Sequence, residues 1–354
     1  MNGSAVITAT KDLGVRFRLV GLLPAGVLAL FVLGLVWSGA PGQSPDLRQV
    51  AAHAERVKGW SGFLLVLAVL AAALIAEPLQ LTLIRWLEGY WGESWLGRLL
   101  AAPGTAFHRA RRSRLDRRQQ RRGGDRRRAA AREAAARKLR AYPPAAAVLP
   151  TKLGNVLRAA EYRAGSRYGL ETVTAWPRLY PVLSDRVAAG LDDLRDQLDL
   201  SVRFCTVFLI ATVISVALLA QYGWWLAVAA GTFTLAVLSY QGAVGAAGSY
   251  GQAMAAAFDL HRFDLLTALH LPLPADLISE VHANEELSSF LRQPHEYLYA
   301  LTSKGQGINF RYEQPDQLTG AGTAKARAGL LARLREALRS DTHSSRPSGP
   351  LMDL

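Results

Sequence analysis

The 354-residue sequence has one cysteine, Cys205. That excludes an intrachain disulfide and any cysteine metal cluster. Its place in an apolar stretch suits a small buried hydrophobe. Lysine is scarce as well, supplying only six (11, 58, 138, 152, 304, 325) of the 41 basic residues. With Ala, Gly, Leu and Arg dominant, this reads as the coding bias of a GC-rich bacterial genome. The usual catalytic signatures are missing. There is no G-x-S-x-G and no H-E-x-x-H. Gly242, Gly245, Gly248 and Gly251 fit neither a dinucleotide nor a P-loop spacing, and no G-K-[ST] follows. His261, His270, His282 and His295 fall on separate elements. Asp259 and His261 are two apart, which points them to different faces of a helix. Asp259 and Arg262 read instead as a local ion pair. The expectation is no metal, no cofactor and no catalytic set.

Charge is also absent from most of the chain as a net quantity. Residues 109–140 carry 15 Arg and Lys against Asp116, Asp125 and Glu133, a net +12 of the formal +13. This run has little apolar content. Leu115 is its only large aliphatic residue before Leu139, and Gly123-Gly124 interrupts it. From Arg109 to Arg128 no apolar face is available for burial in an interface. Ala129 to Arg140 looks helical, with Glu133 and Arg137 one turn apart. The expected role is a solvated, partly disordered segment lying on anionic headgroups through Arg111, Arg112, Arg117, Arg118, Arg121, Arg122, Arg126, Arg127 and Arg128. No aromatics interleave with the arginines, so base stacking is not offered and nucleic acid is disfavoured. A cytoplasmic protein partner of acidic character is the other alternative.

Long apolar runs are what the sequence does have. Leu19 to Trp37 is uncharged and spans roughly 28 Å as a helix at about 1.5 Å per residue. A cleaved signal peptide is the rival reading, but its apolar core is usually about 7–15 residues. Gly62 to Ile84, Phe204 to Ala220 and Trp224 to Val244 follow, the last two joined by only Gln221, Tyr222 and Gly223. Such a link implies an antiparallel hairpin. Lys11, Arg16, Arg18, Arg85, Arg98 and the Arg run flank the same side of these segments. Trp37, Trp60, Tyr222, Trp224 and Trp225 then form one aromatic belt, and Trp86, Tyr90, Trp91 and Trp95 the other.

The sequence therefore predicts an all-α integral membrane protein of four transmembrane helices in two hairpins, with a mainly helical cytoplasmic domain. The expected order is a cytoplasmic 1–18, crossings at 19–37 and 62–84 around an external 38–61, and a cytoplasmic 85–203. Crossings at 204–220 and 224–244 follow, then a cytoplasmic helical 245–340 and a disordered 341–354. Helices are expected at 151–168, at 184–202 running into the third crossing, from the Asp276 cap to Arg292, and at 324–339. Trp176-Pro177 and Tyr180-Pro181 should break the chain, and 297–312 suits a β-hairpin. The location is the bacterial inner membrane with both termini inside.

Candidate chemistry is sparse. Glu77 lies below the inner headgroups on this topology, where an ionisable group is costly. Gln80 shares its face and Pro78 favours a kink. The pair could serve a proton or ion path, sit in an interfacial extension, or bond a neighbour such as Ser239 or Thr212. Asp192, Asp196 and Asp199 share one face of the 184–202 helix, as a cation site, a dock for the Arg run, or a solvated face. The small residues from 242 to 257 permit close helix approach and suggest a homo-oligomer. The leading expectation is a non-enzymatic anchor, sensor or scaffold. A pore, transporter or membrane-disrupting effector gated by the cytoplasmic domain is the rival. A membrane enzyme acting on lipid, through Glu77 or the Asp259/His261 region, is a third.

Overall fold

The computed structural model of the protein describes residues 23–91, 94–121 and 126–292, and only the backbone at 69, 70 and 72–81. Among the described residues 83% are helical and none is in a strand. The C-terminal β-hairpin, the 324–339 helix and the disordered tail of the sequence reading lie outside them, as do residues 1–22.

An antiparallel pair of long helices organises the molecule. Helix α8 (Asp185–Leu219) has 35 residues and α9 (Leu226–Ala268) has 43, roughly 52 and 64 Å at about 1.5 Å per residue. By length and composition these two are apolar enough to cross a membrane. Helix α1 (Leu23–Trp37) is a shorter apolar helix. Helix α3 (Trp60–Glu88) is 29 residues long and carries positions 77, 78 and 80 within it. Between α1 and α3 lies the short α2 (Leu47–Arg56), capped by Asp46, which accepts from the Arg48 N–H at 2.8 Å.

The two ends of the hairpin are built differently. At its tip, Leu219 is fully buried against Leu35 and Phe31 of α1 and against Trp225. Gln221 Nε2 donates to the Pro41 carbonyl at 2.9 Å, and the Tyr222 hydroxyl donates to the same oxygen. So α1 ends where the hairpin turns. Lower down, Leu198, Val202, Ala243 and Ala247 enclose Leu153 and Val156 of α6 (Lys152–Arg163), with Ile84 and Leu87 of α3 packed alongside. Helix α3 therefore ends at the level where the apolar part of the hairpin ends.

Beyond that level the same two helices continue into a helical domain. Leu191 of α8 and Met254, Phe258 and Leu265 of α9 form its core with Leu179 of α7 (Thr172–Leu179) and Leu287 of α10 (Leu277–Arg292). Asp276 caps α10, accepting from the Ile278 and Ser279 N–H groups at 2.9 Å each. The fourth apolar segment, the small-residue stretch and the amphipathic 258–268 segment, which the sequence presents as distinct, are one helix. Ala243, Ala247, Met254 and Ala257 keep a continuous buried stripe through it. The small residues are split between two surfaces. A Cβ on Gly251 would meet Ala160 of α6 at 2.5 Å, whereas Gly245 and Gly248 have nothing within 4 Å. Trp176-Pro177 does not break the chain, because Pro177 is accommodated inside α7 and the turn comes at Tyr180–Val182.

The Arg-rich run is helical rather than partly disordered over its described length. Helix α4 (Trp95–Gln120) and α5 (Arg126–Leu139) pack together. Leu115, Ala135 and Tyr142 are buried between them, with Leu139 alongside. The one large aliphatic residue in the first half of the run is thus the one that holds the hairpin closed.

Candidate functional site

The end of α3 meets α6, α8 and α9 at a polar junction directly beneath the apolar hairpin. Small residues permit the approach. A Cβ on Gly154 would overlap the Glu88 carbonyl, and one on Gly104 of α4 would lie 2.6 Å from the Pro150 carbonyl. Gly89, with φ +94°, closes α3 in the left-handed region and abuts Pro150. The turn before α6 is knit by buried Asn155. Its Oδ1 accepts from the Leu149 N–H at 2.9 Å, and its Nδ2 donates to the Leu149 and Thr151 carbonyls at 2.8 and 2.6 Å. The first turn of α6 is capped twice. Thr151 accepts from the Gly154 N–H at 3.1 Å, and Tyr240 of α9 accepts from the Leu153 N–H at 3.1 Å.

Four titrating groups collect around this docking point. Burial raises the Glu88 carboxyl above its ordinary value, and the nearby Asp199 and Glu161 add to the rise. Burial also raises Asp199, with Arg195 and Arg203 opposing. The Tyr90 and Tyr250 hydroxyls rise for the same first reason. Arg158 of α6 bonds Glu161 at 3.1 Å, but its buried Nε finds no acceptor among the described residues, nor does that of Arg203. The junction is an ionisable cluster under partial desolvation, and sequence reasoning missed it. Glu88, Glu161 and Asp199 are far apart in the chain, and only the α6 insertion brings them together.

The residues singled out from the sequence fall in several places. Glu77 and Gln80 lie on the backbone of α3, with side chains outside the described residues. Thr212, one suggested partner of Glu77, lies 3.0 Å from the Thr232 hydroxyl across the hairpin. Asp192 does not reach the Arg run. Its carboxylate accepts from Tyr180 at 2.5 Å, in a cavity of about 260 Å3 shared with Trp176, Arg195 and Tyr250. That bond, with burial second, pushes the Tyr180 hydroxyl up to about 12. Asp199 lies further along α8 at the junction, and Asp196 is half-buried on the turn between them. Arg112 donates from Nε to the Pro143 carbonyl at 2.9 Å. Arg111, Arg117, Arg118, Arg121, Arg126, Arg127 and Arg128 are exposed on α4, α5 and the end of their link, and Arg122 lies outside the described residues.

The Asp259–Arg262 pairing takes another form. Arg262 bonds Glu280 of α10 at 2.7 Å and stacks 4.2 Å above the Tyr168 ring, while the Asp259 carboxylate accepts from the Tyr168 hydroxyl at 2.7 Å. Near it, Ser184 Oγ lies 3.5 Å from His261 Nε2, and His261 Nδ1 lies 2.7 Å from Asp264. The order of groups is that of a nucleophile, base and orienting acid. However, Ser184 is exposed and Asp264 is 59% exposed, so water surrounds both outer members. A hydroxyl activated in this way needs a water-excluded site with aligned donors, and here the hydroxyl itself lies open to solvent while only the imidazole is largely covered. Among the described residues no group of three or more His, Cys, Asp or Glu could hold a metal ion. Comparisons with family models, curated proteins and solved structures returned no match.

Proposed function

We propose that this chain is a four-crossing protein of the bacterial inner membrane that acts as a non-enzymatic scaffold or sensor, holding a helical domain on a stiff stalk. The observation that carries this reading is the continuity of α8 and α9. Each runs without a break from an apolar, membrane-length half into the domain core at Leu191 and Phe258. Displacement at one end of such a hairpin is transmitted to the other, because a packed helix pair bends little.

The arrangement of ends supports the topology. The end of α1 lies with the hairpin tip, and the end of α3 lies with its base. Exposed Phe233, Leu235 and Leu238 on α9, Val213 and Val216 on α8, and Phe63, Leu64 and Leu67 on α3 form apolar surface that soluble proteins avoid. The first half of α4 adds a second support. Trp95, Leu96, Leu99, Leu100 and Phe107 form a wide exposed stripe, opposite a packed face of Gly97 and His108. An amphipathic helix of this kind, followed by arginines, suits the headgroup boundary of an anionic leaflet. Exposed Gly242, Gly245 and Ser249 suit contact with a second copy.

The test uses the full chain in sealed vesicles. A scaffold stays in the membrane through alkaline carbonate extraction and leaves proton and potassium flux at the protein-free level. Release by carbonate removes the anchor. Protein-dependent flux overturns the scaffold in favour of a pore.

A further inference from the structure

Two clefts in this protein differ in how their charge is balanced. One, of about 550 Å3 beside α6 and α10, has both its cations engaged: Arg158 is paired with Glu161 at 3.1 Å and Arg292 with Glu171 at 2.8 Å, and Glu285 adds a further acid. The other lies between α4 and α5. It encloses about 690 Å3 and is lined by Arg118 of α4, by Arg121 just past the end of that helix, and by Arg128, Arg132 and Lys138 of α5. No acid lines it. None of the five cations makes an ion pair with another described residue, and the nearby Glu133 is engaged by Arg137 at 2.6 Å.

The spacing makes the concentration structural. On α4 and its C-terminal cap the lining positions 115, 118 and 121 recur every three residues, and on α5 positions 128, 131, 132, 135 and 138 share one stripe. The floor is apolar and closed, with Leu115 8% and Ala135 4% exposed. Packing of Leu115 on Ala135 thus holds five like charges around one space. Their mutual repulsion opposes the hairpin unless counter-anions enter. Four of the five are arginines, whose planar forks match phosphate oxygens two at a time. No aromatic ring lines the space, so stacking of a base is not provided. The volume falls within the range of small-ligand sites, about 300–1,000 Å3.

We propose that the α4–α5 cleft binds a multivalent phosphate, carried on a lipid headgroup or on a soluble molecule. This goes beyond the scaffold reading and does not depend on it. The run of arginines is then two surfaces: an outer set including Arg109 and Arg114, and an inner set that converges on a ligand.

The experiment places the full chain in phosphatidylcholine nanodiscs and titrates sodium tripolyphosphate by calorimetry at an ionic strength of about 0.1 M, where diffuse surface attraction is largely screened. The expected result is saturable one-to-one binding. The triple variant Arg118→Gln/Arg128→Gln/Arg132→Gln weakens it by about tenfold or more, since each removed cation faced the phosphate directly. Arg98→Gln/Arg109→Gln/Arg114→Gln removes the same charge outside the cleft and changes affinity by less than about twofold. All six arginines lie on exposed helix surface, and matching circular dichroism checks the fold of both variants. Repeating the titration in nanodiscs that carry cardiolipin, a lipid whose headgroup holds two phosphates, separates the sources. Loss of the tripolyphosphate site there identifies a headgroup ligand, and its persistence identifies a soluble one. Absence of saturable binding, or equal weakening by both triple variants, overturns the proposal.

Discussion

The Tyr240 hydroxyl of α9 accepts the Leu153 backbone N–H at 3.1 Å, tying the apolar hairpin to the first turn of α6 across 87 residues of sequence. The N–H groups of a helix's first turn have no partner within the helix. Here one of them is satisfied by a side chain from the long hairpin, at the level where α3 also ends. Tyr240→Phe keeps the ring and removes the acceptor. It should destabilise the docked α6 by about 1–3 kcal/mol, the usual penalty for an orphaned buried donor. Hydrogen exchange at Leu153 to Val156 should accelerate correspondingly. Exchange unchanged from the parent chain would show that α6 is held without this bond.

Gly154 and Gly190 make a paired test of the same junction. A Cβ at Gly154 collides with the Glu88 backbone carbonyl, which cannot rotate aside. Gly154→Ala should therefore push α6 away from α3 and lower stability by about 1–3 kcal/mol, as overpacking does. Gly190 lies within α8 with nothing within 4 Å, so Gly190→Ala should stabilise by about 0.5–1 kcal/mol through helix propensity. Thermal midpoints of the two variants should move in opposite directions, and movement in the same direction would contradict the packing described at Gly154.

Stability should fall as pH rises through the range governed by Glu88 and Asp199. Both carboxyls are raised by burial from ordinary values of 4.5 and 3.8. The folded state then holds protons that the unfolded state has released, so stability declines with rising pH from those ordinary values up to the raised ones. Above that window the penalty is constant. Glu88→Gln and Asp199→Asn remove the ionisation, so each should raise the melting midpoint at pH 7.5 and change it least at pH 4. A larger gain at pH 4 would reverse the assigned direction.

Arg262 and Glu280 hold α9 to α10 at 2.7 Å, with side-chain exposures of 19% and 5%. Arg262→Ala leaves Glu280 buried without its cation and should cost about 3–5 kcal/mol. Arg137→Ala breaks a pair whose members are 60% and 73% exposed, and should cost no more than about 0.5 kcal/mol. Denaturation of the two single variants compares these directly. A similar small effect for both would mean that α10 is fastened by Leu287 and by its other polar contacts, such as Asn284 to the Tyr168 carbonyl at 2.8 Å.

The helical character and the apolar hairpin were legible because they rest on local signals. Two apolar segments separated by Gln221, Tyr222 and Gly223 leave little choice but an antiparallel pair. The cap at Asp276 was legible for the same reason, since a short polar side chain before an amphipathic run satisfies the exposed N–H groups, whereas the Thr151 cap was read as the first helical residue. The junction was not legible. Asp199 stood out only as one of three acids on a helix face, Glu88 and Glu161 not at all, and only the fit of Gly154 against Glu88 places α6 among them. The arginine run misled in one respect. Its low apolar content argued against a packed helix pair, yet Leu115 and Ala135 suffice because alanine lets two helices approach closely. The apolar stripe of α4 was missed because Pro103 and Gly104 interrupt its pattern, while the helix accommodates both.

That stripe gives the sharpest test of the membrane reading. Cys205 is 2% exposed, so an introduced surface cysteine can be labelled selectively. Leu99→Cys places a spin label on the apolar stripe of α4, and Ser113→Cys places one on an exposed turn of the same helix among the arginines. In vesicles of the full chain, an interfacial helix should leave the label at 99 accessible to molecular oxygen and shielded from a water-soluble nickel chelate. The label at 113 should show the reverse. The contrast follows from depth: an amphipathic helix buries its apolar face about 5–10 Å into the headgroup boundary while its basic continuation stays in water. Equal nickel access at both positions would place the stripe in water. Shielding of 99 from both reagents would place it against protein, and the stripe would then be a contact between chains instead of a contact with lipid.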